Sequence, residues 1–288
     1  MIACPPPDFS PRKPGLLLPP GATDCHAHVF GPAGRFPYAE PRSYTPPDCL
    51  LAQYRHMLAT VGVERAVLVQ PSVYGTDNRN HLEALAESGP AFRMVAVVND
   101  SVSDGELARM NDAGVRGVRF NLVTKGGIPL DGLERMALRL APLGWHLQLF
   151  VEIGTFAMIE SRLAALPAPI VVDHMGGATP GQGLHHPGFQ ALLRLVRGGN
   201  TWVKLSGAYR VSAQPEPPFS DVVPIARALI EAGPERMVWG SDWPHPIVAD
   251  RPMPNDGDLV ELLADWAPDE AQRRRILVDN PARLYGFE

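Results

Sequence analysis

The 288-residue sequence contains no run of 18 apolar residues, which excludes a spanning helix. The first fifteen residues, MIACPPPDFSPRKPG, lack the apolar core of a signal peptide. Cysteine is scarce. Cys4, Cys25 and Cys49 are odd in number and have no paired spacing, so no disulfide framework is expected and a reducing cytoplasm suits them. Long runs of one charge are missing and the formal net charge is only -5, so no nucleic-acid or polyanion-binding surface is expected. A Gly-rich phosphate loop after an early strand is missing too, which speaks against an open dinucleotide-binding sheet. Neither the termini nor the helical segments carry an evident interface, so the sequence is silent on oligomeric state.

What is present alternates. Eight short apolar runs are bounded by Gly, Pro, Asn or Asp, as buried parallel strands are: Ala22–Val29, Arg65–Gln70, Phe92–Asn99, Val115–Asn121, His146–Glu152, Ile170–Met175, Thr201–Ser206 and Met237–Asp242. Amphipathic stretches lie between them, at Asp48–Val61, Asp104–Ala113, Asp131–Leu143, Phe189–Val196 and Asp221–Ala232. Leu50, Leu51, Tyr54 and Leu58 in the first of these fall at helical spacing. Eight strand–helix units predict an α/β fold of the (β/α)8-barrel (TIM barrel) class. Residues 1–20 read as a Pro-rich arm, residues 21–288 as one barrel domain, and Pro268–Tyr285 as a helix packed outside it.

Catalysis in such a barrel belongs at the C-terminal ends of the strands, and the polar residues concentrate there. Strand alternation puts Asp24, His26 and His28 on one face and Cys25 on the other. Two imidazoles spaced i, i+2 can chelate a metal or polarise a carbonyl. His174 ends the sixth run, and alternation turns Asp173 away from it. Asp242 ends the eighth run, where a carboxylate can act as general base or ligate a metal. Arg119, Lys125 and Arg210 are expected to hold substrate carboxylates, since guanidinium groups fork onto them. Tyr44, in the loop after the first strand, is expected to reach across the site, and His245 to support the base or touch substrate. A binding protein on the same scaffold is the non-enzymatic alternative.

Asp24-Cys-His26-Ala-His28, Asp173-His174-Met-Gly and Gly-Ser-Asp242-Trp-Pro-His245-Pro, in this order over residues 20–288, resemble the amidohydrolase superfamily. Supporting segments such as Gly114-Val-Arg-Gly-Val-Arg-Phe-Asn121 and Val278-Asp-Asn-Pro-Ala-Arg-Leu-Tyr285 bring the resemblance closer to its lactonase branch, the 2-pyrone-4,6-dicarboxylate lactonases. The resemblance implies hydrolysis of a small anionic lactone, in aromatic-compound catabolism, by water attack with Asp242 as base and His26, His28 and His174 around the carbonyl. It implies no obligatory cofactor. A single zinc on His26, His28, His174 and Asp242 is the alternative, as in relatives acting on sulfomuconolactone or sugar lactones, and lactone isomerisation and decarboxylation are further ones. The fifth strand lacks the bridging Lys of two-metal members, while Glu152 is a candidate ligand for one metal. Gly177 and Lys125 stand where the dicarboxylate lactonases are expected to carry Arg, and Phe150 where they carry Tyr. Each change weakens the hold on a planar dicarboxylate, a charge-assisted pair being worth about 1.5–3 kcal/mol.

Overall fold

The computed structural model describes residues 2–248 and 251–288. Eight parallel strands follow one another in chain order: β1 (Thr23–Ala27), β2 (Arg65–Val69), β3 (Phe92–Ala96), β4 (Val115–Asn121), β5 (His146–Phe150), β6 (Ile170–Val172), β7 (Thr201–Leu205) and β8 (Met237–Trp239). Helices α1 (Leu51–Val61), α2 (Arg79–Ser88), α3 (Asp104–Ala113), α4 (Leu133–Leu140), α5 (Ile153–Ala164), α6 (Pro187–Arg197), α7 (Val223–Ala232) and α8 (Asp256–Trp266) cover them. Both strand faces are buried, which is why these runs are nearly continuous in Val, Ile and Leu.

The seam between β8 and β1 is closed by backbone. Asp242 N donates to His26 O at 2.8 Å, His28 N donates to Trp243 O at 2.8 Å, and Ala27 bridges Trp243. Gly240 permits the approach, because a Cβ there would lie 2.7 Å from His26 Cβ. Ser241 fastens the same seam by donating to Asp24 through its amide and its hydroxyl, and Tyr54 of α1 donates to the same carboxylate at 2.9 Å.

The barrel interior is layered. Cys25, Val67, Val69, Val95, Val171 and Val238 form an apolar layer with Leu284, Tyr285 and Phe287 of the C-terminal segment. Glu270–Arg274, a π-helical turn at Arg275–Asp279 and Asn280–Tyr285 therefore do more than pack outside the barrel, since their end contributes to this interior cluster. His146, Gln148, Lys204, Asp173 and Arg119 are buried polar groups of the same interior. Gly117 makes room for them, since a Cβ there would sit 2.5 Å from His146 Nε2.

Two expectations from alternation fail on β1. Its register against β2 slips between Asp24 and Ala27, a β-bulge. The slip sends Asp24 outward to Tyr54 and Cys25 inward, while His26 keeps its place at the mouth. Helices α2, α5 and α8 went unread. The buried face of α2 is half polar, with Asn80 and His81 beside Ala84 and Leu85, α5 starts immediately after a strand with a Gly, and α8 is acidic and follows the Pro-rich segment. The described part of the arm lies along α8, with Arg12 N donating to Asn255 Oδ1 at 2.9 Å and Asn255 Nδ2 to Asp8 Oδ2 at 2.7 Å. Its first residues pair with Tyr44 and Thr45. No helix of the described residues is long and apolar enough to cross a membrane.

Candidate active site

The strand ladders stop short of the polar residues. β6 ends at Val172 and β8 at Trp239, and the chain then turns to aim side chains inward. His174 and Asp242 take left-handed backbone angles, with φ of 49° and 66°. For non-glycine residues such angles cost about 1–3 kcal/mol each and persist where the surroundings over-determine them.

The two oxygens of Asp242 have different surroundings. Oδ2 accepts from Tyr209 Oη at 2.5 Å and from Arg210 Nε at 2.5 Å. Oδ1 takes no hydrogen bond from any described residue and faces three imidazole Nε2 atoms: His26 at 3.7 Å, His174 at 3.8 Å and His28 at 3.9 Å. Burial by itself would raise this carboxyl. Arg210 and the surrounding imidazoles outweigh burial and hold it well below the usual carboxylate range. Burial pushes His26 and His28 down to about 3 and His174 well below its ordinary value. At neutral pH the site thus holds one carboxylate among three neutral imidazoles.

Each imidazole is held from behind. His28 Nδ1 lies 2.6 Å from Val69 O, a carbonyl that can only accept. A neutral His28 therefore carries its proton on Nδ1 and offers a bare lone pair at Nε2. In that tautomer it cannot itself donate to an oxyanion. His174 Nδ1 lies 2.9 Å from Ser206 Oγ, and its ring stands edge-on to Phe150 with centroids 5.2 Å apart. His26 Nδ1 lies 3.2 Å from Asp173 Oδ1 and 3.3 Å from Lys204 Nζ.

Asp173 was expected to point away, yet it is fully buried beneath the site. Alternation fails here because the strand has already ended. Its Oδ2 accepts from Arg119 Nε at 3.0 Å, and Lys204 Nζ lies 3.5 Å from Oδ1 while donating to Gln148 Oε1 at 2.8 Å. Burial would raise its carboxyl, but His26, Arg119 and Lys204 reverse this and hold it well below its ordinary value. Arg119 is thus largely spoken for, its Nη1 also donating to Gln70 O at 3.4 Å and its guanidinium lying 5.4 Å from the Phe150 ring centroid.

A cavity of about 450 Å³ opens over His174. Phe150, Val123, Ile153, Gly177, Gln182 and Arg210 are among its walls. Arg210 Nη2 donates to Pro246 O at 2.9 Å, and Nη1 has no partner among the described residues. Tyr44 is buried beside Ser72, within electrostatic reach of Arg119 and Arg210. Lys125 is exposed on the loop after β4, its amide donating to Ser43 Oγ. His245 is buried, with Nε2 3.2 Å from Asp256 Oδ1 and its ring edge-on to Tyr209, so it backs the residue that holds Asp242. Glu152 is exposed at the start of α5, outside the ligand cluster. Tyr209, Ser206 and Lys204 escaped the sequence reading. An unpaired Lys inside an otherwise apolar strand was the one available signal.

His26, His28 and Asp242 can each offer one ligand atom, and these atoms lie within 4.8 Å of one another. The bare Nε2 of His28 and the unpartnered Asp242 Oδ1 fit a divalent cation, and two imidazoles with a carboxylate suit zinc.

Comparisons with known proteins show the family. A family model described as amidohydrolase matches residues 23–287. The chain is 42% identical over 286 residues to a 2-pyrone-4,6-dicarboxylate hydrolase of Comamonas testosteroni, covering 96% of this chain and 93% of that protein. It is 41% identical over 275 residues to a 4-sulfomuconolactone hydrolase of Hydrogenophaga intermedia, covering 94% and 90%. A crystal structure of a protein described as a 2-pyrone-4,6-dicarboxylic acid hydrolase from Pseudomonas putida superposes with a TM-score of 0.81 at 35% identity, covering 94% and 99%. With a family match across the whole barrel and a polar cluster on its strand ends, this chain belongs to the amidohydrolase family.

Proposed function

We propose that this barrel hydrolyses the lactone ring of a small substrate bearing an anionic group. The observation that carries the reading is the asymmetry of Asp242: one oxygen clamped by Tyr209 and Arg210, the other bare among neutral imidazoles at the mouth. The names of the relatives, hydrolases of 4-sulfomuconolactone and of 2-pyrone-4,6-dicarboxylate, support lactones with anionic substituents as the substrate class.

Asp242 Oδ1 accepts a proton from the attacking water, whose other O–H points at the His28 lone pair. The water oxygen adds to the lactone carbonyl carbon. The tetrahedral intermediate collapses with cleavage of the ring C–O bond, and Asp242 returns the proton to the departing ring oxygen, leaving a hydroxy acid. Ser206 Oγ can donate or accept at His174 Nδ1; in the tautomer that accepts there, His174 carries its proton on Nε2 and is able to donate to the developing oxyanion. Arg210 Nη1 orients the anionic substituent, with Tyr44 and Lys125 as further candidates, while Arg119, bonded to Asp173, adds positive charge from behind. Were a divalent ion held by His26, His28 and Asp242, it would supply polarisation of the carbonyl.

Asp242→Asn is expected to lower kcat by about 10²–10⁴-fold, the usual contribution of a general base, with the thermal unfolding midpoint little changed. Both relatives' lactones serve as test substrates, with and without a chelator and alongside the metal content of the purified protein. Turnover of both by the Asn variant at the wild-type rate would end the assignment of Asp242 as base.

A further inference from the structure

The peptide group between Pro246 and Ile247 is bonded on both sides. Its carbonyl accepts from Arg210 Nη2 at 2.9 Å, and its amide donates to Cys4 Sγ at 3.4 Å. Ile247 takes a left-handed backbone angle, with φ of 70°. For a β-branched residue such an angle is an outlier, and it persists only where neighbours hold it. Cys4 is one such neighbour, and both side chains pack on the edge of the main core.

The Arg210 guanidinium takes its direction from that peptide group. A planar fork is oriented once two of its nitrogens are fixed. Nε is fixed on Asp242 Oδ2 and Nη2 on Pro246 O, which sets the direction of Nη1, the nitrogen without a partner among the described residues. Arg210 is also a wall of the cavity over His174. Losing the anchor at Pro246 would leave the fork to pivot about its bond to Asp242.

Cys4 is itself held in place. Ile2 and Ala3 pair in parallel with Tyr44 and Thr45, and Ile2 N donates to Ser43 O and Cys4 N to Thr45 O, both at 3.0 Å. Lys125 N donates to Ser43 Oγ at 2.8 Å, so the loop after β4 grips the same segment. Three residues near the start of the chain therefore join the loop that carries Tyr44 to the loop that follows Asp242.

We propose that Ile2–Cys4 is a positioning strap for the substrate site: its pairing with Tyr44 and Thr45 brings Cys4 to the 246–247 peptide group, and that group aims Arg210 Nη1 at the anionic part of the substrate. Cys4 touches neither substrate nor a reacting atom in this scheme and acts through Arg210. The inference rests on the proposed function only in taking Arg210 as the substrate's anion partner; the orientation of the guanidinium is a separate observable.

The test joins 15N guanidinium NMR of the full-length protein, with Arg210 assigned through Arg210→Lys, to steady-state kinetics on the relatives' lactones. Wild-type Arg210 is expected to show hindered rotation of Nη2, with separate N–H signals. Cys4→Val keeps the approximate volume and removes the acceptor. It is expected to average those signals and to raise KM about three- to tenfold, the worth of one ordinary hydrogen bond, with kcat changing less than about twofold. Cys4→Ser, which restores an acceptor, is expected to recover both readouts. In an Arg210→Gln background Cys4→Val should raise KM no further, because residues of one hydrogen-bonded chain are not additive. A merely structural contact would lower the thermal midpoint and leave KM and this coupling unmoved. Averaged Nη2 signals in the wild-type protein would overturn the proposal whatever the variants do. So would a Cys4→Val protein with wild-type KM, or KM effects that multiply in the double variant. A wild-type protein that opens neither lactone would end the lactonase reading alone, since the NMR spectrum reads the strap without turnover.

Discussion

Two residues that no sequence pattern places at the site, Asp173 and Tyr209, organise the functional side chains. Tyr209 and Arg210 both bond Asp242 Oδ2, but only Arg210 keeps a donor toward the cavity. Their substitutions should therefore part company. Tyr209→Phe removes a hydrogen bond to a charged group, worth about 1.5–3 kcal/mol, and should lower kcat roughly ten- to a hundredfold with KM nearly unchanged. Arg210→Gln should lower kcat and also raise KM for an anionic lactone. Steady-state kinetics of both variants on one substrate checks this, and equal KM shifts would remove Arg210 from the substrate site. His26, His28, His174 and Asp242 were legible because each ends or opens an apolar run. Tyr209 was not, because it lies in the short helix Ala208–Val211 after β7, where no periodicity marks its direction.

The C-terminal segment shows the same limit among the elements. Its helical character was readable, but its contribution to the barrel interior was not, because that depends on where the chain ends relative to a closed sheet. Tyr285 is fully buried against His146, with ring centroids 5.3 Å apart, and its hydroxyl has no partner among the described residues. Tyr285→Ala should cost about 3–5 kcal/mol, as large-to-small changes of buried aromatic residues do. Tyr285→Phe should be neutral or stabilising, because it removes a buried polar group without a partner. Urea unfolding of the two variants reads both, and a large loss in the Phe variant would show that the hydroxyl is satisfied. The bulge in β1 is the counterpart at the mouth: one extra residue opposite Val67 lets Cys25 and His26 both enter the barrel.

The whole molecule pays for its polar interior under acid. His81 and His146 are fully buried and are not among the candidate ligands, and burial pushes both down to about 3. The unfolded chain binds protons on these groups from about pH 6.5 downward while the folded chain refuses them. Stability should therefore rise with pH between about 3 and 6.5, by up to about 1.4 kcal/mol per pH unit for each imidazole. Asp24 works in the opposite sense. Burial raises it to about 6 against the bonds from Ser241, His26 N and Tyr54, so its contribution is lost as pH rises toward 6. One carboxyl against two imidazoles leaves a net loss on acidification. The urea midpoint should drop from pH 7 to pH 5, and His81→Gln with His146→Gln should flatten the slope; a flat wild-type profile would contradict the burial argument. Taken alone, the sequence determined the barrel, because eight alternations of apolar runs with helical stripes have few other closed solutions. It also placed the chemistry at the strand ends. Tertiary structure alone decided which side chains meet. Periodicity holds only inside regular elements, and the bulge at Cys25, the left-handed turns at His174 and Asp242 and the shared carboxylate of Asp173 all lie where a strand has slipped or ended.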